Sequence, residues 1–192
     1  MKKIVLLIIG FIVLSSCSKA NNKQPKNLTV FKKKTELRKN VGLVFYNDTL
    51  FTGTTEIYYP NGNKAETIDY LNGKRNGAYK KWFSTGVLSY HSNYKNGKQQ
   101  GITKSWWING NLRSKTNHDN GVLNGVQKQW YKSGEKFKEL NIVNGQEKGI
   151  QRTWRKNGKL YNNYEAKNGR IFGLKRANLC YELKNEDVQI NN

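Results

Sequence analysis

The sequence predicts an all-β fold: an open antiparallel meander of tandem 24-residue β-hairpin repeats. Three observations predict it. The phrases YLNGKRNG (70–77), YKNGKQQG (94–101), HDNGVLNG (118–125), IVNGQEKG (142–149) and AKNGRIFG (166–173) recur at a constant spacing of 24 residues. A fixed period of that length marks a repeat architecture. Each period contains two turn signals, an Asn-Gly pair and a separate glycine, and nothing between them is long enough for a crossover, so consecutive strands pair antiparallel. Helical periodicity is absent outside the N-terminal apolar run.

Taken in order, the chain opens with MKKIVLLIIGFIVLSSC, in which Lys2 and Lys3 precede an apolar run from Ile4 to Leu14. The run is shorter than the ~20 residues a bilayer span requires and fits the core of an export signal. With Leu14-Ser15-Ser16-Cys17 it resembles a bacterial lipoprotein signal. That resemblance implies a signal peptide over 1–17 and lipidation of Cys17, with the protein anchored to a membrane on the exported side of the cell envelope. Residues 18–40 are polar and lysine-rich and read as a flexible tether. The repeat domain is expected over 41–184, and a frayed C-terminus over 185–192. Cys180, the only other cysteine, stands without a histidine or aspartate nearby and reads as a structural or stray thiol.

Five copies begin at Gly53, Gly77, Gly101, Gly125 and Gly149, and a sixth begins at Gly173 and decays. Position 6 holds Tyr58, Trp82, Trp106, Trp130 and Trp154; position 7 holds Tyr59, Phe83, Trp107 and Tyr131 before breaking to Arg155. Position 10 is glycine, and positions 20 and 21 are Asn-Gly, in all five. Asn-Gly tolerates positive φ at both turn positions and suits the tight turns that match strand twist. About ten strands follow.

Side chains alternate between the faces of a strand, so position 2 shares a face with position 6: Ala78 with Trp82, Ile102 with Trp106, Val126 with Trp130, Ile150 with Trp154. If both turns preserve the pleat, positions 12, 16 and 18 join them, adding Leu88, Leu112, Leu140, Leu160, Ile142 and Tyr94. The expectation is one apolar, tryptophan-lined face and one polar face rich in Lys, Ser, Asn and Gln. The first-position glycines Gly77, Gly101, Gly125 and Gly149 are expected to make room for a neighbouring ring. Before Gly53, Asn47-Asp48 marks the turn of a degraded copy. After Gly173, Asn178 and Glu182 replace the tryptophan and the turn glycine, and both ends read as caps against edge-to-edge growth.

The formal charge is +21, from 34 basic and 13 acidic residues. Such an excess favours anionic partners, among them phospholipid headgroups and acidic glycans; nucleic acid is disfavoured for an exported chain. No catalytic set is apparent. His91 and His118 occupy different repeat positions without ligand-spaced partners, so no metal and no cofactor are expected. Glu66 and Asp69 are three apart in a strand and face opposite sides. Glycines without a strand–loop–helix context do not form a phosphate loop.

The stretch NGKQQGITKSWWINGNL resembles the variant MORN repeat, and LFTGTTEIYYPNGNKAETIDYLNGKRNG resembles the opening of YwqK-type antitoxin components of bacterial toxin–antitoxin systems. The resemblance implies a β-hairpin array that binds a protein partner, a toxin among the candidates, and performs no catalysis. The expected function is therefore a lipid-anchored, non-catalytic repeat protein that binds a protein or acts as an envelope scaffold. The alternative is a peripheral module reading anionic phospholipid or acidic glycan through its basic sheet. The expected binding residues are Phe83, Trp107 and Tyr131 with Lys81, Lys132 and Lys156.

Overall fold

The structure, a computed structural model, describes residues 28–174. The signal segment, Cys17, the first part of the tether, Cys180 and the C-terminal cap and tail lie outside the described residues. Strands β1 (Thr29–Phe31), β2 (Glu36–Arg38), β3 (Leu43–Tyr46) and β4 (Thr49–Leu50) precede the repeats, with a 3-10 turn at Lys32–Lys34. The first three hairpins are β5 (Gly53–Tyr58) with β6 (Lys64–Leu71), β7 (Lys74–Trp82) with β8 (Leu88–Lys95), and β9 (Lys98–Trp106) with β10 (Leu112–Asp119). In the last two the outgoing strand is interrupted: β11 (Val122–Leu123) and β12 (Gly125–Trp130) pass to β13 (Lys136–Val143), and β14 (Gln146–Glu147) and β15 (Gly149–Trp154) pass to β16 (Leu160–Lys167). β17 (Arg170–Leu174) ends the described chain.

These strands form the expected open antiparallel meander. The main sheet has 14 strands rather than about ten, because β1 and β17 extend it and two outgoing strands are counted in two pieces. β2, β3 and β4 make a small second sheet. The Asn-Gly turns carry positive φ at both residues, as at Asn96 (50°) and Gly97 (81°), which explains this pair at each return. Asn47 and Asp48 turn in the same way, as expected of a degraded copy.

The tether is shorter than expected. β1 pairs parallel with β5 and becomes the edge strand on that side of the sheet. Val30 joins Val44, Phe51, Ile68 and Tyr70 in the one apolar core cluster of the described residues, with Leu28, Tyr46 and Tyr79 packed against it. Phe51 is fully buried and meets Tyr70 with ring centroids 5.7 Å apart. A parallel edge strand leaves no turn signal in the sequence, which is why this cap went unread.

The faces also differ from expectation. In every hairpin position 5 pairs with position 14 but position 6 pairs with position 12, as at Ile57↔Glu66 and Tyr58↔Lys64, or Lys81↔Tyr90 and Trp82↔Leu88. The residue between, at position 13, has no cross-strand partner and forms a β-bulge. The bulge reverses the phase of the returning strand. Position 12 stays on the tryptophan side with Leu88, Leu112 and Leu160, whereas Leu140, Ile142 and Tyr94 lie on the other, since positions 16 and 18 pair with 3 and 1. The better-buried face, here the inner face, is thus built from odd outgoing and even returning positions: Thr55, Ser92, Thr103, Gln127 and Gln151 are buried on it beside Ile68, Ile142 and Tyr164. The tryptophan row lies on the opposite, outer face.

The first-position glycines do not make room for rings. A Cβ built at Gly101, Gly125 or Gly149 meets nothing within 4 Å, and what these positions require is positive φ, 74° at Gly101. Gly77 combines positive φ (110°) with a close approach, its Cβ position lying 2.9 Å from the Asp69 side chain. Gly101→Ala is therefore expected to cost about 1–2 kcal/mol from backbone strain alone, and Gly77→Ala more. Urea unfolding of the two variants checks the order, and equal losses would contradict it.

Candidate functional site

The inner face is occupied by its own contacts. The Arg75 guanidinium lies over the rings of Tyr79 (5.3 Å) and Tyr94 (5.5 Å). Gln99 Nε2 donates to Tyr90 Oη at 3.0 Å and to Thr103 Oγ1 at 2.6 Å, and Ser105 and Ser114 share a 2.6 Å bond. Gln151 exchanges two bonds with the Asn141 backbone, each 2.9 Å. Tyr164 donates to Glu147 at 2.9 Å, and burial with this carboxylate pushes its phenol up to about 12. Glu66 accepts from Tyr79 Oη at 2.9 Å and Lys32 Nζ at 2.6 Å on this face. Asp69 accepts from Thr54 Oγ1 at 2.7 Å and the Ala78 amide at 2.9 Å, on the other. The two carboxylates are apart, as the spacing predicts. Among the described residues no group of three or more metal-ligating side chains assembles.

Both rows of turns are tied from copy to copy. On the Asn-Gly side the Gly97, Gly121 and Gly145 amides donate to the Arg75, Gln99 and Leu123 carbonyls of the preceding turn, each at 2.8 Å. On the opposite side position 7 reaches the next copy. Tyr59 Oη donates to the Trp82 carbonyl at 2.8 Å, Trp107 Nε1 to that of Trp130 at 3.2 Å, and Tyr131 Oη to that of Trp154 at 2.8 Å. Asn109 and Asn111 add bonds to the Lys132 carbonyl at 2.9 and 3.0 Å. The bulged position 13 packs beside position 7: the Arg113 guanidinium sits 4.6 Å from the Trp107 ring, and Phe137 lies 5.0 Å from Tyr131.

The six residues expected to form a binding surface therefore do not converge. Trp107 and Tyr131 clamp neighbouring copies, and Phe83 occupies the same row without a polar tip. Lys81 belongs to the inner face, 3.9 Å from Glu66 and 5.5 Å from the Tyr79 ring. Lys132 lies in a turn, and Lys156 leans over Tyr131 at 5.9 Å. Gly77, Gly101, Gly125 and Gly149 act through positive φ and not, as expected, by making room for a ring. Trp82, Trp106, Trp130 and Trp154 keep the expected repeat register, half-buried in one row.

What the sequence reading missed is the composition of the outer face. Even outgoing positions share it, so position 4 lies between the aliphatic row of position 2 and the tryptophan row of position 6. Direct cross-strand pairing runs Lys80↔His91, His91↔Lys104, Lys104↔Lys115, Lys115↔Lys128 and Lys128↔Glu139. Five adjacent strands thus carry four lysines and a histidine in single file. Strict alternation from Trp82 and Trp106 back to Lys80 and Lys104 was the available signal. Beside the file, Ile102, Val126 and Ile150 are 47, 45 and 40 % exposed.

The electrostatics register the file. Burial, then Lys80, then Lys104, lower the pKa of His91 from its ordinary 6.5. His118, on the inner face, is lowered by burial alone. A depressed folded-state pKa means that protonation favours the unfolded chain, so the stability His91 contributes is complete above pH 6.5 and is lost as pH falls through the depressed value. Lys104→Gln is expected to raise the His91 pKa, read from its ring protons by NMR, and to leave His118 unmoved; equal shifts would contradict the file.

The family description "MORN repeat variant" matches residues 51–72 and 75–96. These two stretches are MORN repeats, and they coincide with the first two hairpins. The later three hairpins repeat their register. No curated protein matches the chain. MORN repeats commonly act as protein- or membrane-binding modules, typically without catalysis.

Proposed function

We propose that the protein is a lipid-tethered, non-catalytic binding ribbon of the bacterial cell envelope that docks a partner on its outer face. The observation that carries this reading is the pair of faces. The inner side chains are mostly buried, and many bond to one another, although Thr55 Oγ1, Ser92 Oγ, Gln127 Oε1 and Thr153 Oγ1 find no partner; on the outer face exposed Ile102, Val126 and Ile150 border a file of cations with no covering layer among the described residues. Exposed apolar rows rimmed by charge mark interaction surfaces. The tether rests on the leader ending in Cys17. Among the described residues no helix is long and apolar enough to cross a membrane. The likeness to YwqK-type antitoxin components supports a protein partner, a toxin included. The lysine file favours a second reading, in which the face takes an anionic phospholipid or an acidic glycan.

The full-length protein, purified from detergent-solubilised envelopes, is expected to retain a stoichiometric component. Ile102→Gln with Val126→Gln is expected to release it without lowering the melting temperature. Phe83→Ala, on the turn row, is expected to leave retention intact. Retention that survives the outer-face pair and fails with Phe83→Ala would contradict the reading. Cys17→Ser is expected to move the folded protein out of the membrane fraction, and unchanged membrane association would sink the tether.

A further inference from the structure

The cationic file poses its own question. Like charges directly opposite each other destabilise a sheet, and here Lys104, Lys115 and Lys128 face one another across three neighbouring strands. Among the described residues no carboxylate lies within ion-pair distance of Lys80, Lys104 or Lys115. Lys128 alone meets one, Glu139 at 3.4 Å. The ring of His91, flanked by Lys80 and Lys104, stands in the same line. A fold that kept these lysines only as solvated surface would gain by interrupting the file with acids, as it does at Glu139.

We propose that Lys80, His91, Lys104, Lys115 and Lys128 form a track for a linear polyuronate, an acidic glycan bearing a carboxylate on every sugar. The inference rests on the reading of the outer face as the docking face and names what that face takes. Spacing favours this polymer. Neighbouring strands stand about 4.7–4.9 Å apart, so the cations recur at about that interval along the ribbon. A linked pyranose ring advances its chain by a similar distance, and because successive rings of a twofold chain turn their carboxylates to alternate sides, same-side carboxylates recur at about two strand spacings and meet every second position of the file. An acidic peptide in extended form places same-side carboxylates about 6.8 Å apart, two residues at the strand rise, and falls out of step within two or three contacts.

The rows beside the file suit the same ligand. Trp82, Trp106 and Trp130 run parallel to it, one outgoing position further along, and offer ring faces and edges to sugar rings. Asn93 and Asn117 lie on its other side, opposite Ala78 and Ile102, with amides able to pair with hydroxyls. The expected complex is a glycan chain lying along the ribbon, across the strands. Its binding is dominated by exposed ion pairs and is therefore weakened by salt.

The test uses the full-length protein in detergent with oligogalacturonate as probe and its fully methyl-esterified form as control. The acid form is expected to bind, with affinity falling as salt rises, and the ester is expected not to. On saturation the His91 pKa is expected to rise, because the carboxylates offset the field of Lys80 and Lys104, while that of His118 on the inner face stays fixed. Lys104→Gln with Lys115→Gln is expected to weaken binding severalfold, the loss of an exposed ion pair whichever alternate positions the carboxylates meet, and to raise the melting temperature by relieving repulsion. The proposal is overturned if the ester binds equally, if His91 does not respond, or if the double variant binds undiminished. It is also overturned if polyglutamate or vesicles of anionic phospholipid displace the glycan at equal charge. Failure here with the Ile102 and Val126 variants still releasing an envelope component would leave the docking face standing and remove only the glycan.

Discussion

Each hairpin has one more residue on its returning strand than on its outgoing strand, and that unpaired residue determines what each face of the ribbon presents. The bulge falls between the partners of positions 5 and 6 in all five copies: at Ala65, Ser89, Arg113, Phe137 and Tyr161. Without it, Ile142 and Leu140 would lie beside the tryptophans and the ribbon would have one apolar and one polar side. With it, Thr, Ser, Gln and Tyr are buried on the inner face, while tryptophans, lysines and exposed aliphatics share the outer. The period is even, so every copy repeats the same choice.

A ribbon of this kind is held together by neighbour-to-neighbour bonds, because each copy contacts only the next. Two lateral rows supply them: the Asn-Gly turns on one side and the position-7 clamps on the other. The second row is uneven. Tyr59, Trp107 and Tyr131 carry polar tips that reach the next copy, but Phe83 and Val87 have no polar side-chain atom with which to do so. The junction between the second and third hairpins therefore leans on its backbone ladder and on the Asn-Gly side. The apolar core around Phe51 and Ile68 anchors only the first copy. Apolar packing is uneven along the ribbon, with the core cluster at its N-terminal end and later copies held mostly by polar contacts.

Much of the fold could be read from the residues. The invariant spacing, the Asn-Gly pairs and the alternating strands specified the meander, its turns and the shared register of the tryptophans. The bulge could not be read, because position 13 is Ala, Ser, Arg, Phe or Tyr with no common chemistry, and a bulge differs from a longer turn only in pairing. That one uncertainty misassigned the returning strand. The parallel edge strand at Thr29–Phe31 was hidden in a lysine-rich stretch with no turn beside it. The clamps were half legible: tyrosine and tryptophan at position 7, with Asn at 109 and 111, supplied donors, but their acceptors are backbone carbonyls of the next copy. The cationic file required reading position 4 of one copy against position 15 of its neighbours.

Thiol labelling of single substitutions on the two faces tests the bulge-determined phase most directly. Ile102→Cys and Val126→Cys lie on the outer face, and Ile142→Cys and Leu140→Cys on the inner. Mass spectrometry of peptides separates each from Cys17 and Cys180. The expected result is rapid labelling at 102 and 126 and labelling slower by an order of magnitude or more at 142 and 140. Labelling at 142 as fast as at 102 would place the returning strands on the tryptophan side and contradict the arrangement on which the binding face depends.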